Sequence, residues 1–452
     1  MSKLPFFSLQ DAIHLMAPKS FVALTKPVGA LCNLDCVYCY YLDKQRLYGN
    51  SPKVMADDLL ERYIRAYIQT NEVPTLSFVW HGGEPLLAGL AFFEKVVRLQ
   101  QKHNPKRKVI ENLIQTNGTL LNEAWCRFFK EHRFLVGISI DGPKEIHDTY
   151  RKNRSGEGSF DRTMCGLEML KHHKVDFNSL TVVSAHAQGR GKEIYTFLKD
   201  NGVKFMQFLP SVDYIKPFEG SLRPVTVSSF EGSLRPVDVP PIGGSLRPVM
   251  VSPLKAAEAE LAPWSLEAEL APWSVSGTGY GTFLIDVFNE WVVGDVGSIF
   301  VQLFDNTLCV WHGIEPSLCS CCETCGNSIA VEHNGDVYSC DHFVYPEHLL
   351  GNIQSRSLKE MLESLQQIDF GLNKRNTLSN ECLHCDYYFA CRGACPAHRH
   401  LKTAENQYKS SLCDGLKTFY THTAPFMKYM SDLIRARKTA SEVIPYARKV
   451  LL

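Results

Sequence analysis

The chain has 452 residues, 45% apolar and 21% charged, a composition typical of a soluble globular protein with room for two or three domains. Lysine plus arginine and aspartate plus glutamate each number 48, so the zero net charge offers no electrostatic hold on nucleic acid or an anionic membrane. Met1 to Phe7 shows no cationic stretch followed by a long apolar one, and no run of about 18 apolar residues occurs, so neither a signal peptide nor a membrane span is expected.

Residues 1–20 read as an irregular lead-in. Phe21 to Thr25 is a short β-prone run, followed by Cys32-x3-Cys36-x2-Cys39. Three thiols this close suit an iron–sulfur cluster or zinc, and three ligands rather than four leave one metal position open. Apolar spacing predicts a helix over 56–70, a strand over 76–80 and a helix over 86–101. The alternation continues with strands 109–115, 135–140, 179–184 and 204–209 and helices 122–131, 160–173 and 191–200. Six strands alternating with helices predict an α/β fold, a partial barrel of parallel strands. Such sheets bind ligands at the carboxyl ends of their strands, where the cysteine loop lies.

Further motifs stand at these strand ends. His81-Gly-Gly-Glu-Pro85 follows the second strand, and its glycines permit close backbone approach to a ligand or simply make a turn. Gln115-Thr-Asn-Gly118 and Ser139-Ile-Asp-Gly-Pro143 follow the third and fourth, each an ordinary polar turn by itself. Arg151 is a candidate fork for a carboxylate, or a solvated arginine.

Residues 219–274 differ in kind. Gly-Ser-Leu-Arg-Pro-Val recurs at 220–225, 232–237 and 244–249, and Glu-Ala-Glu-Leu-Ala-Pro-Trp-Ser at 258–265 and 267–274. Near-identical short copies rich in proline and glycine do not suit a solenoid, and read as a recently duplicated, flexible insert. Helical spacing resumes at 280–293.

The sixteen cysteines are bunched, with three in 32–39, four in 319–325 and four in 382–395. Without a secretion signal they read as metal or cluster ligands in a reducing, cytoplasmic setting. Val331 to His342 reads as a hairpin turning at Asn334-Gly335 and ending on Cys340. Cys382-x2-Cys385-x5-Cys391-x3-Cys395 and Cys413 follow. Eight of these thiols suffice for two four-iron clusters, or for one or two zinc sites.

Together, Cys32–Cys39 with Tyr38, Gly82–Pro85, the Val331–Val344 hairpin and Cys382–Cys413 resemble the anaerobic sulfatase-maturating enzymes. These are radical S-adenosylmethionine (SAM) proteins with a C-terminal SPASM domain carrying two auxiliary clusters. The resemblance covers nearly the whole chain outside 219–274. It implies a radical SAM barrel over 21–218, a helical connection over 275–310, a SPASM-type domain over 311–415 and a helical tail over 416–452. It assigns Cys32, Cys36 and Cys39 to the SAM cluster. Tyr38, Gly83, Ser139, Arg151 and Val212 would line the SAM pocket, with Ser139 and Arg151 on its carboxylate. One auxiliary [4Fe–4S] cluster would take Cys319, Cys325, Cys340 and Cys395, the other Cys382, Cys385, Cys391 and Cys413.

The implied reaction is oxidation of a cysteine or serine to Cα-formylglycine by a 5′-deoxyadenosyl radical. Asp341 would be the general base, which calls for a raised carboxyl pKa; a hairpin-end residue bonding backbone is the alternative. The implied partners are an unfolded sulfatase chain with a Cys/Ser-x-Pro-x-Arg motif and an electron donor such as flavodoxin or ferredoxin. A maturase crosslinking another ribosomal peptide, or a zinc-binding adaptor, are the rival readings. The sequence departs from the family's pattern at His81, where relatives often have glutamine, and in the extra Cys321 and Cys322, which make Cys322-x2-Cys325 a competing ligand pair. Cys126, Cys165 and Cys309 match nothing and are expected to be small buried residues.

Overall fold

The computed structural model describes residues 20–49, 54–214 and 270–452. Strands β1 (Val22–Thr25), β2 (Thr75–Trp80), β3 (Val109–Thr116), β4 (Phe134–Ser139), β5 (Phe177–Val183) and β6 (Phe205–Pro210) pair in parallel, in chain order. Between them run α1 (Asp57–Thr70), α2 (Leu90–Lys102), α3 (Glu123–Glu131), α4 (Lys144–Tyr150), α5 (Phe160–His172) and α6 (Gly191–Asp200). Their spacing explains their docking: in α1, Leu59, Leu60, Tyr63, Ile64, Tyr67 and Ile68 form one buried stripe. Burying each such side chain contributes about 1.5–3 kcal/mol.

Two local expectations change. The helix predicted over 86–101 is interrupted at Gly89, whose φ of 85° separates a short 3-10 turn, Pro85–Ala88, from α2. Helix α4 was not predicted; it is short, and it turns the chain so that Arg151 meets the cysteine loop.

The sheet does not stop with the barrel. Its order is β10-β9-β8-β1-β2-β3-β4-β5-β6-β7, with β7 (Phe300–Val301) on β6. Strand β8 (Ser328–Val331) pairs in parallel with β1, Val22 opposite Ser328 and Thr25 opposite Val331. Strands β9 (Asp336–Tyr338) and β10 (Leu349–Asn352) continue it antiparallel. The hairpin is therefore an extension of the barrel sheet. Its second strand ends at Tyr338, short of the expected Cys340, and the chain then carries Cys340 and Asp341 toward the cysteine loop.

Helix α7 (Gly277–Val292) packs on α9 (Cys413–Arg435), with α8 (Leu365–Asn376) between them in the chain. A Cβ on Gly415 would stand 1.7 Å from the Gly277 carbonyl, so α7 and α9 cross only because both positions are glycine.

Of the expected 219–274 insert, residues 219–269 lie outside the described residues, as does the lead-in up to residue 19. Leu270–Ser274 belong to the barrel edge instead: Ala271 N–H donates to Asp213, Val275 N–H to Ser211 and Ala185 N–H to the Trp273 carbonyl, all at 2.9 Å. The last half of the second Glu-Ala-Glu-Leu-Ala-Pro-Trp-Ser copy is thus structural.

Candidate active site

The cysteine loop leaves β1 and is pinned from two sides. Asp35 N–H donates to the Lys152 carbonyl (2.7 Å) and Val37 N–H to Tyr150 (3.0 Å). On the other side Gly83 N–H donates to Gly29 and Glu84 N–H to Leu31, both at 2.8 Å. A Cβ on Gly83 would stand 2.0 Å from the Leu31 carbonyl, so this glycine serves close approach to the cysteine loop itself. Glu84 is fully buried and accepts from Leu86 N–H, Asn117 N–H and the Thr116 hydroxyl at 2.8–3.0 Å. Burial pushes its carboxyl up to about 7 against those donors. It ties the ends of β2 and β3 to the loop.

Cys32, Cys36, Cys39, Tyr38, Gly83, Ser139, Arg151, Val212 and Asp341 all line one cavity of about 450 Å³. The Ser139 hydroxyl accepts from Gln115 Nε2 at 3.0 Å, which leaves its proton free for a ligand. Arg151 differs from expectation. Its Nε and Nη2 fork already holds the buried carboxylate of Asp141, at 2.9 and 3.0 Å, and Tyr38 donates its hydroxyl to the same group. The two Nη1–H groups and the second Nη2–H remain to meet a ligand carboxylate; the Nε/Nη2 grip belongs to Asp141.

Asp341 lies on a short 3-10 turn directly after Cys340. Lys26, the fully buried residue after β1, forms an ion pair with its Oδ1, and the Tyr40 hydroxyl donates to its Oδ2. Burial alone would raise this carboxyl. Lys26 outweighs that and holds it well below the ordinary carboxylate range, the reverse of the expected raised pKa. His81 Nδ1 accepts from Gly82 N–H at 2.7 Å and faces Lys26 Nζ at 3.0 Å. Burial and Lys26 push His81 down to about 3, so it is neutral, with its proton on Nε2. Lys26 and Tyr40 escaped the sequence reading; a lysine after a strand and a tyrosine after the last loop cysteine carry no local sign of an aspartate so far along the chain.

The remaining thiols fall into two groups. Burial, then the charges of Cys319 and Cys325, push Cys395 up to about 12, and Cys340 is raised by burial and next by Cys395. Cys391 is pushed up to about 12 by burial, then by Cys413 and Cys382. Buried thiols that raise one another's pKa are poor as free acids and good as metal ligands. The Cys322 thiol donates to the carbonyls of Pro316 (3.2 Å) and Leu318 (3.5 Å), and its charge also acts on Cys325. Cys126 is buried, but Cys165 is exposed and Cys309 half-buried, because Cys165 lies off the Thr163, Gly166, Leu167, Leu170 stripe of α5.

Helix α8 organises the first group. Gly371 accepts from Cys325 N–H at 3.1 Å, and Gln367 Nε2 donates to the Gly326 carbonyl at 2.9 Å and to that of Ser339, next to Cys340, at 3.3 Å. Among the described residues no three His, Cys, Asp or Glu side chains stand close enough to grip a single metal ion.

A parallel barrel whose first loop carries three cavity-facing cysteines, continued by a cysteine-rich hairpin domain, defines a radical SAM protein with an auxiliary-cluster domain. Residues 27–186 match the Radical SAM superfamily and residues 321–386 the SPASM iron-sulfur cluster-binding domain. The chain is 40% identical to a serine-type anaerobic sulfatase-maturating enzyme of Bacteroides thetaiotaomicron, over 94% of this chain and 95% of that one. It is 32% identical to a cysteine-type enzyme of Clostridium perfringens, over 91% and 98%. The solved structure of native anSMEcpe with bound AdoMet and Cp18Cys peptide superposes with a TM-score of 0.73 at 30% identity, covering 91% of this chain and 99% of that one. The chain belongs to the anaerobic sulfatase-maturating enzymes.

Proposed function

We propose that the cavity oxidises a cysteine or serine of an unfolded sulfatase polypeptide to Cα-formylglycine. The observation that carries this is the single cavity, which has the three-cysteine loop on one wall and the ionised, Lys26-paired Asp341 on another. Cys32, Cys36 and Cys39 would hold the SAM-binding cluster. Ser139, through its free hydroxyl proton, and Arg151, through Nη1, would meet the SAM carboxylate. Loaded, that site supplies a 5′-deoxyadenosyl radical able to take a hydrogen atom from the substrate Cβ.

Asp341 accepts the hydroxyl or thiol proton. Once the Cβ hydrogen is gone that proton is more acidic than in the intact side chain, so a carboxylate of low pKa is base enough. Lys26 and Tyr40 keep Asp341 ionised and aimed. His81 offers Nε2–H as a donor to the peptide. The substrate thus loses one hydrogen atom, one proton and one electron; serine gives the aldehyde directly, and a thioaldehyde from cysteine is hydrolysed. Clusters held by the auxiliary thiols would carry that electron toward an acceptor, and a donor of flavodoxin or ferredoxin type would serve the SAM cluster. Thiols that must stay reduced favour a cytoplasmic setting; no helix among the described residues is long and apolar enough to cross a membrane.

The test is an anaerobic incubation of reconstituted protein with SAM, dithionite and a Ser-x-Pro-x-Arg or Cys-x-Pro-x-Arg peptide, read by mass. The expected result is loss of two hydrogens from the serine peptide, or the formyl product from cysteine, with 5′-deoxyadenosine. Deoxyadenosine with an unchanged peptide would move the substrate elsewhere, and a crosslink would mean a different peptide maturase.

A further inference from the structure

Two buried cations have no part in the chemistry above. Lys374 of α8 is fully buried, and its ammonium donates to the carbonyls of Cys319 (2.7 Å), Ser320 (3.0 Å) and Cys322. Arg399 is 7% exposed. Its Nε donates to Gly393 (3.0 Å), and Nη1 to the Lys374 carbonyl (2.7 Å) and the Thr377 hydroxyl (3.3 Å). All these partners are neutral. Arg399 Nη2 is buried and has no partner among the described residues. The guanidinium lies against the chain between Cys391 and Cys395, where a Cβ on Gly393 would stand 2.7 Å from Nη2. Burial works against its charge, and what would offset that is thiolate charge on Cys382, Cys325, Cys395 and Cys391, two from each group.

Buried cations among neutral partners are costly unless negative charge lies nearby. A four-iron cluster held by four thiolates carries that charge, and its potential responds to net charge and to hydrogen bonds on its sulfurs. The thiol groups and the two cations therefore complement each other. We infer that Lys374 and Arg399 are the counter-charge of the auxiliary clusters, with Arg399 Nη2–H donating to a cluster sulfur and favouring the reduced state. Both residues act through the clusters rather than on substrate, so they are positioning residues. The inference rests on the cluster reading given above.

The test uses full-length protein with Cys32, Cys36 and Cys39 replaced by alanine, so that only auxiliary signals remain. Iron content and EPR-monitored redox titration are compared for Arg399, Arg399→Lys and Arg399→Gln. The expected result is about eight irons in the parent. In Arg399→Gln the auxiliary potential falls by at least a tenfold step in the reduction equilibrium, about 59 mV for one electron. Arg399→Gln with full iron and an unchanged potential would overturn the inference. Should the glutamine variant fail to hold iron, Arg399→Lys decides. Full iron in the lysine variant supports the need for a cation, and equal loss in both overturns it. A parent far below eight irons would strike the cluster reading itself, and this inference with it.

Discussion

The barrel and the cysteine-rich C-terminal region are built on opposite principles. Around the barrel cavity, buried charge is met by groups of the chain itself: Arg151 pairs with Asp141, Lys26 pairs with Asp341 of the hairpin turn, and Glu84 accepts from three neutral donors. Around them the core is aromatic and aliphatic, with Trp80, Phe78, Phe93 and Phe129 fully buried. In the C-terminal region, Lys374 and Arg399 are buried against backbone carbonyls and the Thr377 hydroxyl. Around the barrel cavity the chain supplies the counter-charges, whereas Lys374 and Arg399 leave theirs to what the nearby thiols bind. The C-terminal region is therefore expected to depend on metal for its fold more than the barrel does.

The largest expected effect separates the two regions directly. Cys36→Ala should abolish both deoxyadenosine and aldehyde formation while leaving about eight of about twelve irons in place; iron analysis and product assays check this, and loss of all iron would show the regions to be one metal unit. Next, Lys26→Met breaks a completed barrel pair and strands a buried carboxylate, at an expected stability loss of about 3–5 kcal/mol by denaturant unfolding. A variant as stable as the parent would mean the pair is not what holds Asp341.

The pH dependence sharpens the same point. A carboxylate whose folded pKa is depressed contributes stability above its unfolded value of about 3.9, and loses it as pH falls toward the folded value. The difference in Tm between the parent and Asp341→Asn should therefore be flat from about pH 6 to 8 and shrink below about pH 4. A difference that changes steeply near neutrality would contradict the Lys26 pairing. The smallest effect is at Cys322: Cys322→Ala should keep full iron content, whereas Cys319→Ala should lose up to about four irons.

The barrel elements were legible because burial imposes a period on the sequence, as in the Leu59 to Ile68 stripe of α1. The site residues next to motifs, Cys32, Cys36, Cys39, Gly83 and Ser139, were legible for the same local reason, and the structure brings them to one cavity. What was hidden depends on contacts distant in sequence. Tyr40 reaches Asp341 across 301 positions, and a lysine after a strand, such as Lys26, looks like any surface lysine. Arg151 was read as a free fork because nothing in the sequence reveals that Asp141, ten residues earlier, occupies it. The expected high pKa of Asp341 failed likewise, since burial is legible from a hairpin end and the compensating cation is not.

The most direct test of the account compares both products in the parent and in Asp341→Asn, with the serine peptide, SAM and dithionite under anaerobic conditions. The account predicts matched deoxyadenosine and aldehyde from the parent. From the variant it predicts continued deoxyadenosine but aldehyde lowered about 10²–10⁴-fold. Aldehyde formed by Asp341→Asn at the parent's rate would remove Asp341 from the chemistry and contradict the account.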